Sequence, residues 1–285
     1  GSKMDTEAYR EKYGIKTKYR LNEGGVGFYR GKLVFELEEA VRATDTMSEE
    51  EMLKLRAIRA LFFGGITLGE YLPLASFLLH KGVSVTKIFE QLVISDAKND
   101  GFTKSLNWLF ENANSEWFDS PAIAEEFLSD EKNQAALFND EAFTKLNFAF
   151  SARLALNQDE YDAYYSQLED VLQSQLTDTP SLVIKELLQL CRSRNFLANC
   201  LNGDRRHQRE LELSETTIQA LMECGYLDTK LQQRDSGALY ININDVTANK
   251  LKDELEQLNQ NPSIFELSQV MQSFIGRLYL DPVRK

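Results

Sequence analysis

The sequence predicts a mainly α protein: a multi-helix bundle with a short N-terminal β-hairpin and a second small β-hairpin near residues 226–243. Three observations lead there. Apolar residues recur at helical spacing through most of the chain after Ser48. Apolar/polar alternation of the strand kind is concentrated between Tyr13 and Glu51. Gly64-Gly65, Gly82, Gly101, Gly203 and Gly225 then cut the rest into pieces of helix length.

In chain order, Thr6–Lys12 suits a short helix ended by Gly14. Ile15, Thr17, Tyr19 and Leu21 share one face of a half-buried strand, with Lys16, Lys18 and Arg20 on the other. Gly24-Gly25 and Gly27 read as its hairpin turn, Arg30-Gly31 as a further turn, and Leu33–Leu37 as the second strand. Ser48 and Glu51 form a capping box: the serine satisfies a free N–H of the first helical turn and the glutamate reaches back to the cap amide. The helix it opens runs through Met52, Leu55, Ile58 and Phe62 to Gly64-Gly65.

Further helices are expected over Tyr71–His80, Ser84–Ile94, Pro121–Leu128, Ala135–Leu156, Glu160–Leu176 and Ser181–Phe196. Ser214–Cys224, Asn249–Leu258 and Ser263–Leu278 complete the set, with short strands over Tyr226–Leu231 and Leu239–Ile243. That last region has the outline of a winged-helix unit, or of a helical body carrying a surface hairpin. The expected divisions are a β-rich lead-in at 1–47, a helical domain at 48–201 and a smaller helical subdomain at 202–285.

Composition bounds the function. The 285 residues are 43% hydrophobic and 27% charged, the make-up of a soluble globular chain. A net charge of −12 repels phosphate backbones, so no nucleic-acid partner is expected. The one basic cluster, Arg205-Arg206-His207-Gln208-Arg209, reads as a solvated turn. No apolar run approaches the ~20 residues of a membrane span. Leu72–Leu79 comes nearest, but Pro73 lies within it. Three cysteines, an odd number in a long chain, point to a reducing compartment, with the cytoplasm as the default location. No signal peptide is seen ahead of Met4, and Gly1-Ser2 reads as a cleavage scar.

No catalytic constellation can be assembled, so the residue chemistry designates no catalytic, cofactor-binding or metal-binding residue. Cys191, Cys200 and Cys224 lack metal-site spacing and suit buried small side chains. His80 and His207 stand far apart. Gly24-Gly25-Val26-Gly27 lacks the lysine and hydroxyl of a phosphate loop. Glu36, Glu38, Glu39 and Asp45 read as a solvated acidic face. The aromatics of Trp108–Phe118 and Phe138–Tyr165 suit either a bundle core or a groove for a partner helix.

One stretch carries a resemblance. It comprises Tyr13-Gly-Ile-Lys-Thr-Lys-Tyr-Arg20, the glycine-rich segment, Gly31-Lys32, Phe35-Glu-Leu-Glu-Glu-Ala-Val41 and Thr44-Asp-Thr-Met-Ser-Glu-Glu50. This ordered set resembles the region following the radical S-adenosylmethionine (SAM) barrel in cobalamin-binding radical SAM enzymes. It covers about a fifth of the chain, roughly residues 5 to 60. The family's CxxxCxxC loop and its cobalamin-binding domain do not occur here, so no residue for a [4Fe–4S] cluster, S-adenosylmethionine or cobalamin is carried over. The resemblance implies a truncated piece of a larger enzyme: a C-terminal accessory domain, non-catalytic alone, that caps the substrate cavity of a radical modification or methyl-transfer enzyme. Its implied partner is the parent's catalytic barrel, with self-association through exposed N-terminal strands as a symptom. The alternative is a self-contained helical interaction or scaffold module.

Overall fold

The computed structural model describes residues 6–95, 99–138, 145–206, 208–227, 238–242, 245–258, 262–274 and 281–282. The chain is mainly α-helical and divides into two compact units, Gly1–Ala57 with Asn107–Leu146, and Ile58–Leu106 with Asn147–Lys285. This division cuts across the ranges expected from sequence. Residues 48–201 are shared between both units, and 202–285 belong with the second.

In the first unit, α1 (Glu7–Lys12) leads into β1 (Lys16–Tyr29), which pairs antiparallel with β2 (Lys32–Ala43). The turn is Arg30-Gly31, with φ of 51° and 76°. Positive φ at both central residues is the geometry whose twist matches a two-residue hairpin. The glycine run therefore does not make the turn, contrary to the sequence expectation. It lies inside β1, where the register slips from Leu21↔Leu37 to Val26↔Phe35 and extra β1 residues bulge opposite Glu36. Glycine is needed there because a Cβ on Gly25 would lie 2.8 Å from the Glu36 Cβ.

The capping box forms as the sequence implies. The Ser48 amide donates to Glu51 Oε2 at 2.7 Å, and the Glu51 amide donates to Ser48 Oγ at 3.2 Å. It opens α2 (Glu49–Phe62). Backbone bonds between Tyr19 and Phe118, at 2.9 and 2.7 Å, tie β1 to the segment after α5 (Asp100–Ser115). The unit also holds α6 (Pro121–Ser129), capped by Ser120, and α7 (Glu131–Phe138).

In the second unit the end of α2 runs into a π-helical turn, Phe63–Thr67, then α3 (Leu72–His80) and α4 (Val85–Ile94). Next come α8 (Leu146–Leu156), α9 (Gln158–Gln175), α10 (Ser181–Arg194) and α11 (Phe196–Leu201). The helix expected over Ala135–Leu156 is thus α7 and α8, and residues 139–144 between them lie outside the described residues. Helix α10 is central, packing on α3 and α9. Phe77, Phe89, Phe102, Phe150 and Phe196 are each at most 2% exposed. Burial of such a side chain stabilises by about 1.5–3 kcal/mol.

The chain ends with β3 (Gln208–Glu212), α12 (Glu215–Glu223), β4 (Ala238–Asn242), α13 (Asp245–Gln257), α14 (Ile264–Ser273) and β5 (Asp281–Pro282). The Arg205–Arg209 segment is not simply a turn. It enters β3, which alternates buried Arg209 and Leu211 with exposed Gln208, Glu210 and Glu212. Among the described residues β4 pairs with β3 and β5, where the sequence suggested a strand over Tyr226–Leu231. Cys224-Gly225 is a turn and Tyr226-Leu227 a bend, and 228–237 lie outside the described residues.

Candidate functional site

The residues marked out by sequence are scattered. Cys191 and Cys200 are buried, and burial pushes their thiols up to about 12 and about 11. Among the described residues no group of three or more His, Cys, Asp or Glu is placed to hold a metal ion. Among the described residues the donor set does not fit an iron–sulfur cluster. His80 is exposed at the end of α3, and His207 lies outside the described residues. Glu38 pairs with Arg20 at 2.7 Å, and Glu36 accepts from the Asn22 amide at 3.3 Å. Glu39 sits between Arg10 and Thr17, and the Arg10 guanidinium holds its carboxyl down at about 2. These are surface acids, and Asp45 is exposed with them.

Several aromatics of the candidate grooves are packed within their own unit. In the first unit the Trp117 ring is flanked by the guanidinium groups of Arg42, Arg20 and Arg56 at 4.6, 5.3 and 5.9 Å. Arg56 also donates to the Ala113 carbonyl at 3.1 Å and to Glu116 at 2.7 Å. In the second unit Phe148, Phe150, Tyr161, Tyr164 and Tyr165 are all core.

The second unit contains a site that sequence reasoning missed. Glu70, 7% exposed, follows Gly69 just before α3. Its Oε1 accepts from the Tyr161 hydroxyl at 2.7 Å and the Tyr165 hydroxyl at 2.6 Å, and its Oε2 accepts from Asn195 Nδ2 at 2.9 Å. Burial raises the Glu70 pKa above the ordinary carboxyl value, and these hydrogen bonds oppose the shift. The phenols of Tyr71, Tyr164 and Tyr165 are pushed up by the same desolvation and stay protonated donors. Arg194, 1% exposed, donates to the Gly69 carbonyl at 2.8 Å and fixes the backbone beside the carboxyl. Arg192 lies over the Tyr161 and Tyr165 rings and pairs with Asp162.

A second buried carboxylate in the same unit offers a contrast. Glu160, 2% exposed, accepts from Arg153 Nε at 2.9 Å, Ser105 Oγ at 2.7 Å and Asn157 Nδ2 at 2.9 Å. It is paired with a cation. The Glu70 carboxyl takes its hydrogen bonds from the neutral Tyr161, Tyr165 and Asn195 side chains, and Arg194 donates to the Glu70 main-chain carbonyl at 3.3 Å.

Glu70 lines a cavity of about 30 Å³ walled by Gly64, Gly65, Phe150, Leu154, Leu197 and Met271. That is room for about one water molecule. The π-helical turn makes the wall thin: a Cβ on Gly65 would lie 2.3 Å from the Tyr71 ring. Ser151 also lines the cavity, but its hydroxyl donates to the Asn147 carbonyl at 3.0 Å and is not aligned with a base. The arrangement can keep one carboxyl and its proton away from solvent, and it holds no nucleophile–base pair among the described residues. Two sequence features lie at this place, a lone glutamate in the apolar run from Ile66 to Leu79 and three tyrosines at helical spacing in α9, but neither names the other as its partner.

No protein-family model matches the chain, and no curated protein matches it.

Proposed function

We propose that the chain is the mostly helical C-terminal accessory region of a cobalamin-dependent radical SAM enzyme, non-catalytic by itself, packing against the catalytic barrel and helping to close its substrate cavity. The observation that supports this reading is the ordered residue set from Tyr13 to Glu50. Those residues make one continuous piece of structure, a hairpin followed by a capped helix start. The same hairpin exposes Phe28 (59%), Tyr29 (64%) and Val34 (52%), apolar surface of the kind that a missing neighbour covers. The reaction of the parent would be radical modification or methyl transfer. Its [4Fe–4S] cluster, S-adenosylmethionine and cobalamin belong to the parent and are assigned to no residue here. The alternative is a self-contained helical interaction module holding a partner helix around Trp108–Phe118 or Phe138–Tyr165; of the latter segment Phe148, Phe150, Tyr161, Tyr164 and Tyr165 are buried.

Reading the gene in frame upstream of the Met4 codon tests the proposal. A CxxxCxxC segment is expected within roughly 250 residues, the typical length of a full β/α barrel. Its absence would retire the reading. The purified chain is expected to be colourless, and a brown, iron-loaded sample would contradict the cysteine assignment.

A further inference from the structure

The pleat of the hairpin determines which of its amides are free. A two-residue turn closes on a pair that exchanges both hydrogen bonds, here Tyr29 and Lys32. Bonded and non-bonded pairs then alternate, so Gly27↔Val34 is bonded, whereas Phe28↔Leu33 and Val26↔Phe35 are not. Leu33 and Phe35 consequently aim their N–H and C=O groups away from β1. The sheet has two strands, and among the described residues no backbone bond outside the hairpin ladder reaches Leu33 or Phe35. No proline interrupts Lys32–Leu37, and Val34 is exposed on it. Such an edge accepts another strand.

We propose that the occupant is β2 of a second copy of this chain, paired antiparallel about a two-fold axis through Val34. This does not rest on the functional reading above. Outward-facing residues must meet outward-facing residues, so the axis passes through a residue rather than between two. An axis on Glu36 sets Glu36 against its own copy, and one on Leu37 sets Glu36 against Glu38. Like charges directly opposite are unfavourable in a sheet. An axis on Phe35 brings Lys32 to Glu38, which Arg20 already neutralises at 2.7 Å, and sets Val34 against Glu36. An axis nearer the turn shortens the ladder. The axis on Val34 pairs Val34 with the second copy's Val34, Leu33 with its Phe35 and Lys32 with its Glu36, and the reverse. Lys32 has no ion pair among the described residues, and Glu36 has the Asn22 amide at 3.3 Å, so opposite charges meet twice across the axis. The area is small, so the dimer is weak and dissociates on dilution.

Sedimentation velocity on the full chain, from about 1 μM to about 1 mM, reads the association across the range where small interfaces dissociate. Wild type is expected to shift from monomer to dimer. Val34→Lys, which places two ammonium groups face to face, is expected to weaken dimerisation at least about tenfold with unchanged helical circular dichroism. Lys32→Glu weakens it too, and adding Glu36→Lys in the same chain restores it by exchanging the charges. Rescue by Glu38→Lys instead would overturn the register, moving the axis to Phe35. A chain that stays monomeric throughout, or a dimer indifferent to Val34→Lys, would overturn the proposal.

Discussion

The hairpin and the Glu70 cage treat charge in opposite ways. The hairpin keeps its charges at the surface in pairs such as Arg10–Glu39 and Arg20–Glu38, both at 2.7 Å. Exposed pairs of this kind contribute little each, typically ~0–1 kcal/mol. Its shape comes from a turn, a bulge and a cap, all of them local. The cage removes one carboxylate from water and surrounds its oxygens with neutral donors from one helix, α9, and from the junction of α10 and α11. Its members stand or fall together, because a buried donor left without an acceptor carries its full desolvation cost. Surface chemistry on the hairpin can therefore change at little cost to folding, whereas the cage tolerates almost none.

Substitutions should separate the two regions in that order. Glu70→Ala strands the Tyr161, Tyr165 and Asn195 donors and enlarges the cavity. Urea unfolding is expected to record a loss of about 3–5 kcal/mol. A loss below about 1 kcal/mol would mean the cage relaxes or fills with water. Gly65→Ala drives a methyl into the Tyr71 ring, with an expected cost of about 1–3 kcal/mol from overpacking.

Glu70→Gln sharpens the comparison through pH. The folded protein holds the Glu70 proton more tightly than the unfolded chain does. Its contribution is present in full below the unfolded carboxyl pKa, and it falls as pH rises through that value towards the raised folded one. Denaturation midpoints of wild type should therefore decline across that window relative to Glu70→Gln, which cannot ionise. Parallel pH profiles for the two proteins would show that the carboxyl is not desolvated in solution.

The hairpin side shows smaller effects. Ser48→Ala removes one half of the capping box and is expected to cost about 1 kcal/mol in the same unfolding assay. Val34→Lys, on the exposed edge, should change monomer stability by no more than about 0.5 kcal/mol while altering self-association. A larger destabilisation would mean that Val34 is packed against something in the monomer.

How much of this the sequence made legible follows from the reach of each interaction. Ser48 and Glu51 lie three residues apart, and alternation through Ile15–Leu21 is equally local, so both were visible. The turn was misplaced because Gly24-Gly25 is the louder glycine signal, yet a bulge needs glycine as much as a turn does. Pairing of Tyr29 with Lys32 and of Val26 with Phe35 centres the hairpin on Arg30-Gly31, and that pairing is a property of both strands together. Glu70 was invisible as a site because its partners lie 91, 95 and 125 residues further along the chain. The spacing of Tyr161, Tyr164 and Tyr165 defines a helix face but not what that face meets. The aromatic segments were open between groove and core for the same reason.

Residue-resolved amide hydrogen exchange on the hairpin tests most directly whether the β2 edge is open to a partner. In dilute protein Leu33 and Phe35 should exchange fast while Lys32 and Val34 are protected, and raising the concentration should slow Leu33 and Phe35 selectively. Equal protection of all four amides in the dilute monomer would contradict a free edge.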